Sequence, residues 1–90
     1  MIQLVNAQQM AINYPDNFEV PDMEALSKIK IGDSVKVCVN GAERLWVEVT
    51  EIQDGDLLKG KIDNCPIIID DISFGDLLSF KKENIYNIFN

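Results

Sequence analysis

The sequence predicts a mainly β fold of the α+β class: a small SH3-like five-stranded barrel or coiled meander, preceded by one or two short N-terminal helices. Three observations predict it. Apolar and polar residues alternate with a period of two after Ile31, turn residues recur roughly every ten positions, and residues 1–31 follow a different pattern. Because 90 residues can bury only one small core, we expect a single domain, residues 1–90, in which an N-terminal arm (1–31) precedes a β-barrel body (32–90).

Two short helices are predicted in the arm. Four residues of the first lie at helical spacing: Leu4, Ala7, Ala11 and Tyr14. Pro15 ends this helix, because proline forces the residue before it out of the helical region. A second helix of about two turns is predicted within residues 21–29, where acidic residues near the start and a lysine near the end suit the helix dipole. Between the helices, Phe18 is predicted to lie in an extended segment and to anchor the arm on the body.

The first two strands of the body form a predicted hairpin. Valines alternate with serine, lysine and cysteine over residues 34–39, and Asn40-Gly41 follows, a pair that favours the positive backbone angles of a tight turn. The second strand runs over residues 45–52. Since Ile52 breaks its alternation, we expect a bulge or a bend near residues 50–51.

The remaining strands are shorter. Three further segments are predicted as strands: residues 58–62, residues 67–69 (short and fully buried) and residues 76–80. Turns are predicted at residues 54–56 and at the Asn64-Cys65-Pro66 corner. The tail, residues 83–89, is too apolar to stay loose, so we expect it to dock as a helical turn or as an edge strand.

One short pattern occurs twice, at residues 31–33 and 74–76: an apolar residue, then Gly-Asp, then a strand. Glycine permits the positive backbone angle that turns the chain, and the aspartate carboxylate accepts hydrogen bonds from turn amides. We interpret the two copies as similar strand entries, a feature frequent in SH3-like barrels. This interpretation is favoured over a pairing of Asp33 with Asp76 as acid and base or as metal ligands.

A set of motifs runs through the body: Gly32-Asp33, Glu43-Arg44-Leu45-Trp46-Val47, Gly60 with Ile62, Asn64-Cys65-Pro66 and Gly75-Asp76. In this respect the chain resembles the YegJ-like family of small bacterial proteins of unknown function, over residues 18–85. The tryptophan motif is the most specific part of the resemblance. The chain departs from the family at Cys65, where an acidic residue is often found. The resemblance implies the fold and implies no known activity or cofactor.

The composition excludes several kinds of chemistry. The chain has no histidine, so Ser-His-Asp and Cys-His catalytic arrangements and His-containing zinc sites are excluded. We predict that the protein is not an enzyme and has no catalytic residues, no cofactor and no metal. The acidic pairs Asp54/Asp56 and Asp70/Asp71 lack the spacing and the final glutamate of an EF-hand loop, so we interpret them as turn and surface residues.

A cytoplasmic location is predicted. No apolar run approaches the roughly 20 residues of a membrane-spanning helix, and the first ten residues carry no lysine or arginine, which a secretory signal needs. Cys38 and Cys65 are then expected to be free thiols that pack as small apolar side chains, and their spacing leaves a disulfide between them open.

Trp46 is the most prominent candidate for binding. With Arg44 and Glu48 it lies on the face of the second strand opposite the valines, which is the outside of a closed barrel. Two interpretations stay open: the arm covers the ring, or the ring is exposed at an interface, where tryptophan and arginine dominate binding energy. The predicted protein-binding surface is Arg44, Trp46 and Glu48.

Three functions are compatible with these features. We favour a cytosolic, non-catalytic protein-interaction module of unknown cellular role. The alternative is an acidic inhibitor or immunity-type protein that caps a basic partner, because 15 acidic residues against eight basic ones give a net charge of −7. A nucleic-acid-binding barrel is disfavoured, and membrane binding is not expected, since few cations oppose many anions. The candidate cations are scattered along the sequence: Lys36, Lys59, Lys61, Lys81 and Lys82.

Overall fold

The computed structural model describes residues 2–16, 19–53 and 56–89, and the fold is mainly β. Its elements are, in chain order, two helices (α1, Ala7–Asn13; α2, Met23–Ser27), four strands (β1, Ser34–Val39; β2, Glu43–Ile52; β3, Leu57–Ile62; β4, Leu77–Lys81), a 3-10 turn (Lys82–Asn84) and a last strand (β5, Ile85–Phe89). The predicted anchor Phe18 and the predicted turn at Asp54-Gly55 lie outside the described residues.

The five strands form one antiparallel sheet in the order β4-β3-β2-β1-β5. β1 to β4 are a meander, and β5 returns to pair with β1. The turn Lys82–Asn84 joins the two edge strands directly, so the sheet must coil until its edges approach each other there. The predicted mainly β fold with five strands is confirmed, but the fifth strand is formed by the tail (β5) and not by residues 67–69. The tail docks in both of the expected forms, first as a helical turn and then as an edge strand.

Both predicted helices are present, each with a side-chain cap at its start. Asn6 caps α1 by accepting a hydrogen bond from the backbone N–H of Gln9 (2.9 Å), and Asp22 caps α2 by accepting one from Ala25 (2.8 Å). α1 ends before Pro15, as predicted, but it begins three residues later than Leu4, which instead forms an isolated β-bridge with β1. No helix of the described residues is long and apolar enough to cross a membrane.

The predicted hairpin and bulge are also confirmed. Asn40 and Gly41 have φ angles of 55° and 67° between β1 and β2, the left-handed conformation that this pair favours. The register between β2 and β3 shifts between Val49 and Glu51, where the alternation breaks in the sequence.

The two Gly-Asp turns have the same hydrogen bonds. In the first, Asp33 accepts from the N–H of Lys30 (3.0 Å), and in the second Asp76 accepts from Ser73 (2.8 Å). Gly32 and Gly75 have φ angles of 99° and 88°, and each donates its N–H to the neighbouring strand. Each carboxylate is therefore engaged by its own turn, as expected of a strand entry.

The prediction of a short buried strand at residues 67–69 is wrong. Ile67 is 88% exposed and Ile68 is 61% exposed, while Ile69 is half-buried. Their backbone N–H groups donate to the carboxylate of Glu43 and not to a neighbouring strand. The segment is therefore part of the loop between β3 and β4.

The core lies inside the coiled sheet. Its buried members are Leu26 and Ile29 from the arm, Ile72 from the loop, and Val35, Val37, Val39, Leu45, Val47, Val49, Leu58, Ile62, Phe80 and Ile85 from the strands. A second, smaller cluster attaches the arm to the outer face of the sheet. It consists of Ala7, Cys38 and Tyr86, against which Val5 and Val20 pack.

Candidate functional site

The three residues predicted to bind a partner share the outer face of β2. Arg44 and Glu48 are exposed and Trp46 is half-buried, while the residues between and after them, at 45, 47 and 49, are all buried in the core. Alternation along one strand accounts for this placement. The predicted candidate surface is therefore one continuous strip on the outside of the sheet.

The ring of Trp46 is bracketed by two side chains from neighbouring strands. The Lys36 ammonium, on the directly opposite residue of β1, lies 4.8 Å from the ring centroid. The Phe89 ring, on β5, stands edge-on to it at 75°, with the ring centroids 6.3 Å apart. Both geometries are favourable, one a cation–π contact and the other a T-shaped aromatic pair. Phe89 itself is 70% exposed.

The Trp46–Phe89 contact joins side chains of β2 and β5 across β1, which lies between these two strands in the sheet. Ser34 on β1 is opposite Glu48 on one side and Phe89 on the other, and its small side chain leaves room for the aromatic rings to meet above it. Ser34, Trp46, Asp63 and Phe89 line a shallow depression of about 400 Å³.

The N-terminal arm lies at the other end of this face. There the guanidinium of Arg44 stacks over the Tyr86 ring at 4.6 Å, beside the cluster in which the arm packs on Cys38. Burial raises the pKa of the Tyr86 hydroxyl. Between the two ends, residues 19–21 of the arm and the side chains of Lys36 and Arg44 line a second depression of about 410 Å³.

Trp46 is held in place through its backbone. Its N–H donates to the side-chain oxygen of Asn64, and its carbonyl accepts from the N–H of Asp63 (2.9 Å). These two hydrogen bonds extend the pairing along β2 past Ile62, the last residue of β3, into the Asn64-Cys65-Pro66 corner. As a result, the tryptophan is displayed from a rigid backbone.

Glu43, at the start of β2, organises the loop that follows this corner. Its carboxylate accepts hydrogen bonds from the backbone N–H groups of Ile67 (2.8 Å), Ile68 (2.9 Å) and Ile69 (3.1 Å). The bond from Ile67 is the main cause that holds the pKa of Glu43 below its ordinary value of 4.5, against the opposing effect of desolvation.

Acidification is expected to release this loop while the sheet stays folded. Because the pKa of Glu43 is lowered in the folded chain, its stabilising effect is complete above about pH 4.5 and is lost as the pH falls through the folded pKa. Amide hydrogen exchange at residues 67–69, corrected for the intrinsic pH dependence, should accelerate in that range. Glu43→Gln should exchange fast at every pH, and the matched variant Glu48→Gln should behave as the wild type. Protection of these amides that is independent of pH would contradict this assignment.

The structure places no metal centre in the described part of the chain. No group of three or more cysteine, aspartate or glutamate side chains that could hold an ion occurs among the described residues. Cys38 and Cys65 are both free thiols. Cys38 is buried as expected, but Cys65 is exposed, so its predicted packing as a small apolar side chain is wrong. The side chains on this surface are aromatic rings, the cations of Lys36 and Arg44, and the carboxylate of Glu48.

Sequence reasoning found Arg44, Trp46 and Glu48 but missed Lys36, Tyr86 and Phe89 as their neighbours. Lys36 follows from the β1–β2 hairpin, because a turn at Asn40-Gly41 sets the register. Tyr86 and Phe89 reach this face because β5 pairs with β1. No pattern within a few residues of the sequence predicts that long-range pairing.

Comparison with known proteins adds no assignment. No protein-family model, no curated protein and no solved structure matches the chain. The resemblance to the YegJ-like family therefore stays a prediction.

Proposed function

We propose that the protein is a non-catalytic, cytoplasmic protein-interaction module that binds a partner protein with the outer face of β5, β1 and β2. The binding face consists of Lys36, Arg44, Trp46, Glu48 and Phe89. The observation that carries the proposal is the edge-on pair of the half-buried Trp46 and the 70% exposed Phe89, with the Lys36 ammonium over the Trp46 ring. Large aromatic side chains and arginine supply most of the energy of protein interfaces.

The charge of the binding face indicates the chemistry of the partner. The chain carries a net charge of −7, yet two of its eight cations lie on this face: Lys36 over the Trp46 ring and Arg44 over the neighbouring Tyr86 ring. A partner segment that presents an apolar or aromatic side chain next to a carboxylate would contact both features. Such a partner differs from the basic protein that an acidic inhibitor would cap.

Affinity capture from native extract tests the proposal, with wild type, Phe89→Ala and the matched control Phe74→Ala as baits. Phe74 is also a largely exposed phenylalanine (58%), but it lies in the second Gly-Asp turn and does not line the depression between Trp46 and Phe89. We expect a partner that wild type and Phe74→Ala retain and Phe89→Ala loses. Trp46 is the only tryptophan, so its emission should shift on titration with the purified partner. A basic partner retained by all three baits and released by salt would support the acidic-inhibitor function instead.

A further inference from the structure

The β3–β4 hairpin and its connecting loop, residues 57–81, concentrate exposed apolar surface. Of eleven large apolar side chains exposed among the described residues, five lie here: Leu57, Ile67, Ile68, Phe74 and Leu77. Isolated exposed apolar side chains are ordinary, but a cluster of them marks a contact surface.

The pairing of β3 with β4 places lysines among these apolar residues. The opposite pairs are Leu57 with Lys81, Lys59 with Ser79, and Lys61 with Leu77. Residues directly opposite each other in an antiparallel pair point to the same side, so these six residues form one surface, the hairpin face. Three lysines that are scattered in the sequence are thereby brought together. Across the other edge of β3, Glu48 and Glu51 lie opposite Lys61 and Lys59, so the lysines of the hairpin face are bordered by acidic residues on the side of β2.

The loop between β3 and β4 presents a surface that is also apolar but carries acidic residues in place of lysines. Ile67 and Ile68 point outward, and the exposed Asp70 and Asp71 follow them. We call residues 67–71 the loop tip. Glu43 holds the backbone of the tip through three hydrogen bonds, so docking it would cost little conformational entropy.

We infer that the loop tip of one copy docks on the hairpin face of a second copy, which forms a reciprocal dimer. The isoleucines would cover the leucines, and the carboxylate of Asp70 would meet the lysines. Both surfaces belong to the β3–β4 hairpin and its loop. The two surfaces adjoin, because a Cβ atom built on Gly75, near the end of the loop, would lie 3.8 Å from the Cε atom of Lys61 on the hairpin face. Two adjacent complementary surfaces on one chain can satisfy each other across a two-fold axis. This dimer uses neither Trp46 nor Phe89, so its test is separate from that of the proposed function, although Glu48 of the binding face lies opposite Lys61 of the hairpin face.

Sedimentation equilibrium of the full chain over a wide concentration range tests the inference. We expect a reversible dimer for wild type, and for the double variant Ile67→Ser/Ile68→Ser a dissociation constant at least about tenfold larger. The matched variant Ile12→Ser, which changes an isoleucine of α1 that is also largely exposed (72%), and Phe89→Ala should both dimerise as the wild type does. Unchanged thermal unfolding of each variant shows that the fold is retained.

Charge reversal tests the polar part of the contact. Asp70→Lys and Lys61→Asp should each weaken the dimer, and the two changes combined in one chain should restore it, because both sides of the contact are then reversed. A wild type that stays monomeric, a dimer insensitive to the isoleucine variant, or a dimer lost in Phe89→Ala would overturn the inference. So would binding of an oligothymidylate probe at low salt that Lys61→Asp abolishes, since the hairpin face would then be a nucleic-acid site.

Discussion

Replacing Gly60 with alanine is expected to destabilise the protein strongly, by about 1–3 kcal/mol or more. A Cβ atom at this position would lie 2.6 Å from the carbonyl oxygen of Glu48 and would also overlap a methyl group of Val47. Val47 is fully buried, so it has no free space into which to move. Since a small domain has a total stability of only roughly 5–15 kcal/mol, the loss should be evident in the urea midpoint, followed by Trp46 fluorescence.

Gly41 provides the control for this substitution. Its φ is +67°, and a Cβ atom there would meet nothing within 4 Å. Gly41→Asn should therefore be close to neutral, because asparagine tolerates the left-handed conformation, whereas Gly60→Ala fails for lack of space. Equal midpoints for Gly60→Ala and wild type would contradict the close approach of β3 to β2.

Replacing Phe80 with alanine is expected to cost about 3–5 kcal/mol. Phe80 is 2% exposed and is among the largest fully buried side chains of the core. For a domain of this size the loss corresponds to a fall in melting temperature of roughly 12 °C or more. Calorimetry or circular dichroism at a fixed protein concentration measures it.

Phe89 is the matched residue on the outer face. It keeps 70% of its surface exposed and contacts Trp46 at its edge, so Phe89→Ala should cost about 1 kcal/mol or less. The two phenylalanines therefore separate stability from binding: Phe80→Ala should lower stability, and Phe89→Ala should lower partner capture at near-normal stability. Comparable melting temperatures for the two variants would show that Phe89 belongs to the core and would remove the central part of the binding face.

The features predicted correctly from the sequence are those with local causes. Asn40-Gly41 specifies its hairpin, Pro15 ends α1, and the misplaced Ile52 signals the bulge, because each effect is decided within a few residues along the chain. The repeated Gly-Asp turns belong here too, since each carboxylate bonds within its own turn.

The features that were missed depend on long-range contacts. The run of isoleucines at 67–69 has the composition of a buried strand, but Glu43, 24 to 26 residues earlier, takes its backbone N–H groups. In the same way, the neighbours of Trp46 come from β1 and from the distant β5. Local pattern identifies the face on which Trp46 lies, while the order of strands in the sheet decides what stands beside it.

Photo-crosslinking in the native host tests the central claim, that the face bearing Trp46 and Phe89 is where a partner binds. A photoreactive phenylalanine analogue would be placed at position 89 and, as the matched control, at position 74. We predict a discrete adduct with another protein on irradiation from position 89, and from position 74 at most an adduct between two copies of the chain. An adduct with another protein from position 74 alone, or no adduct from position 89, would contradict the account.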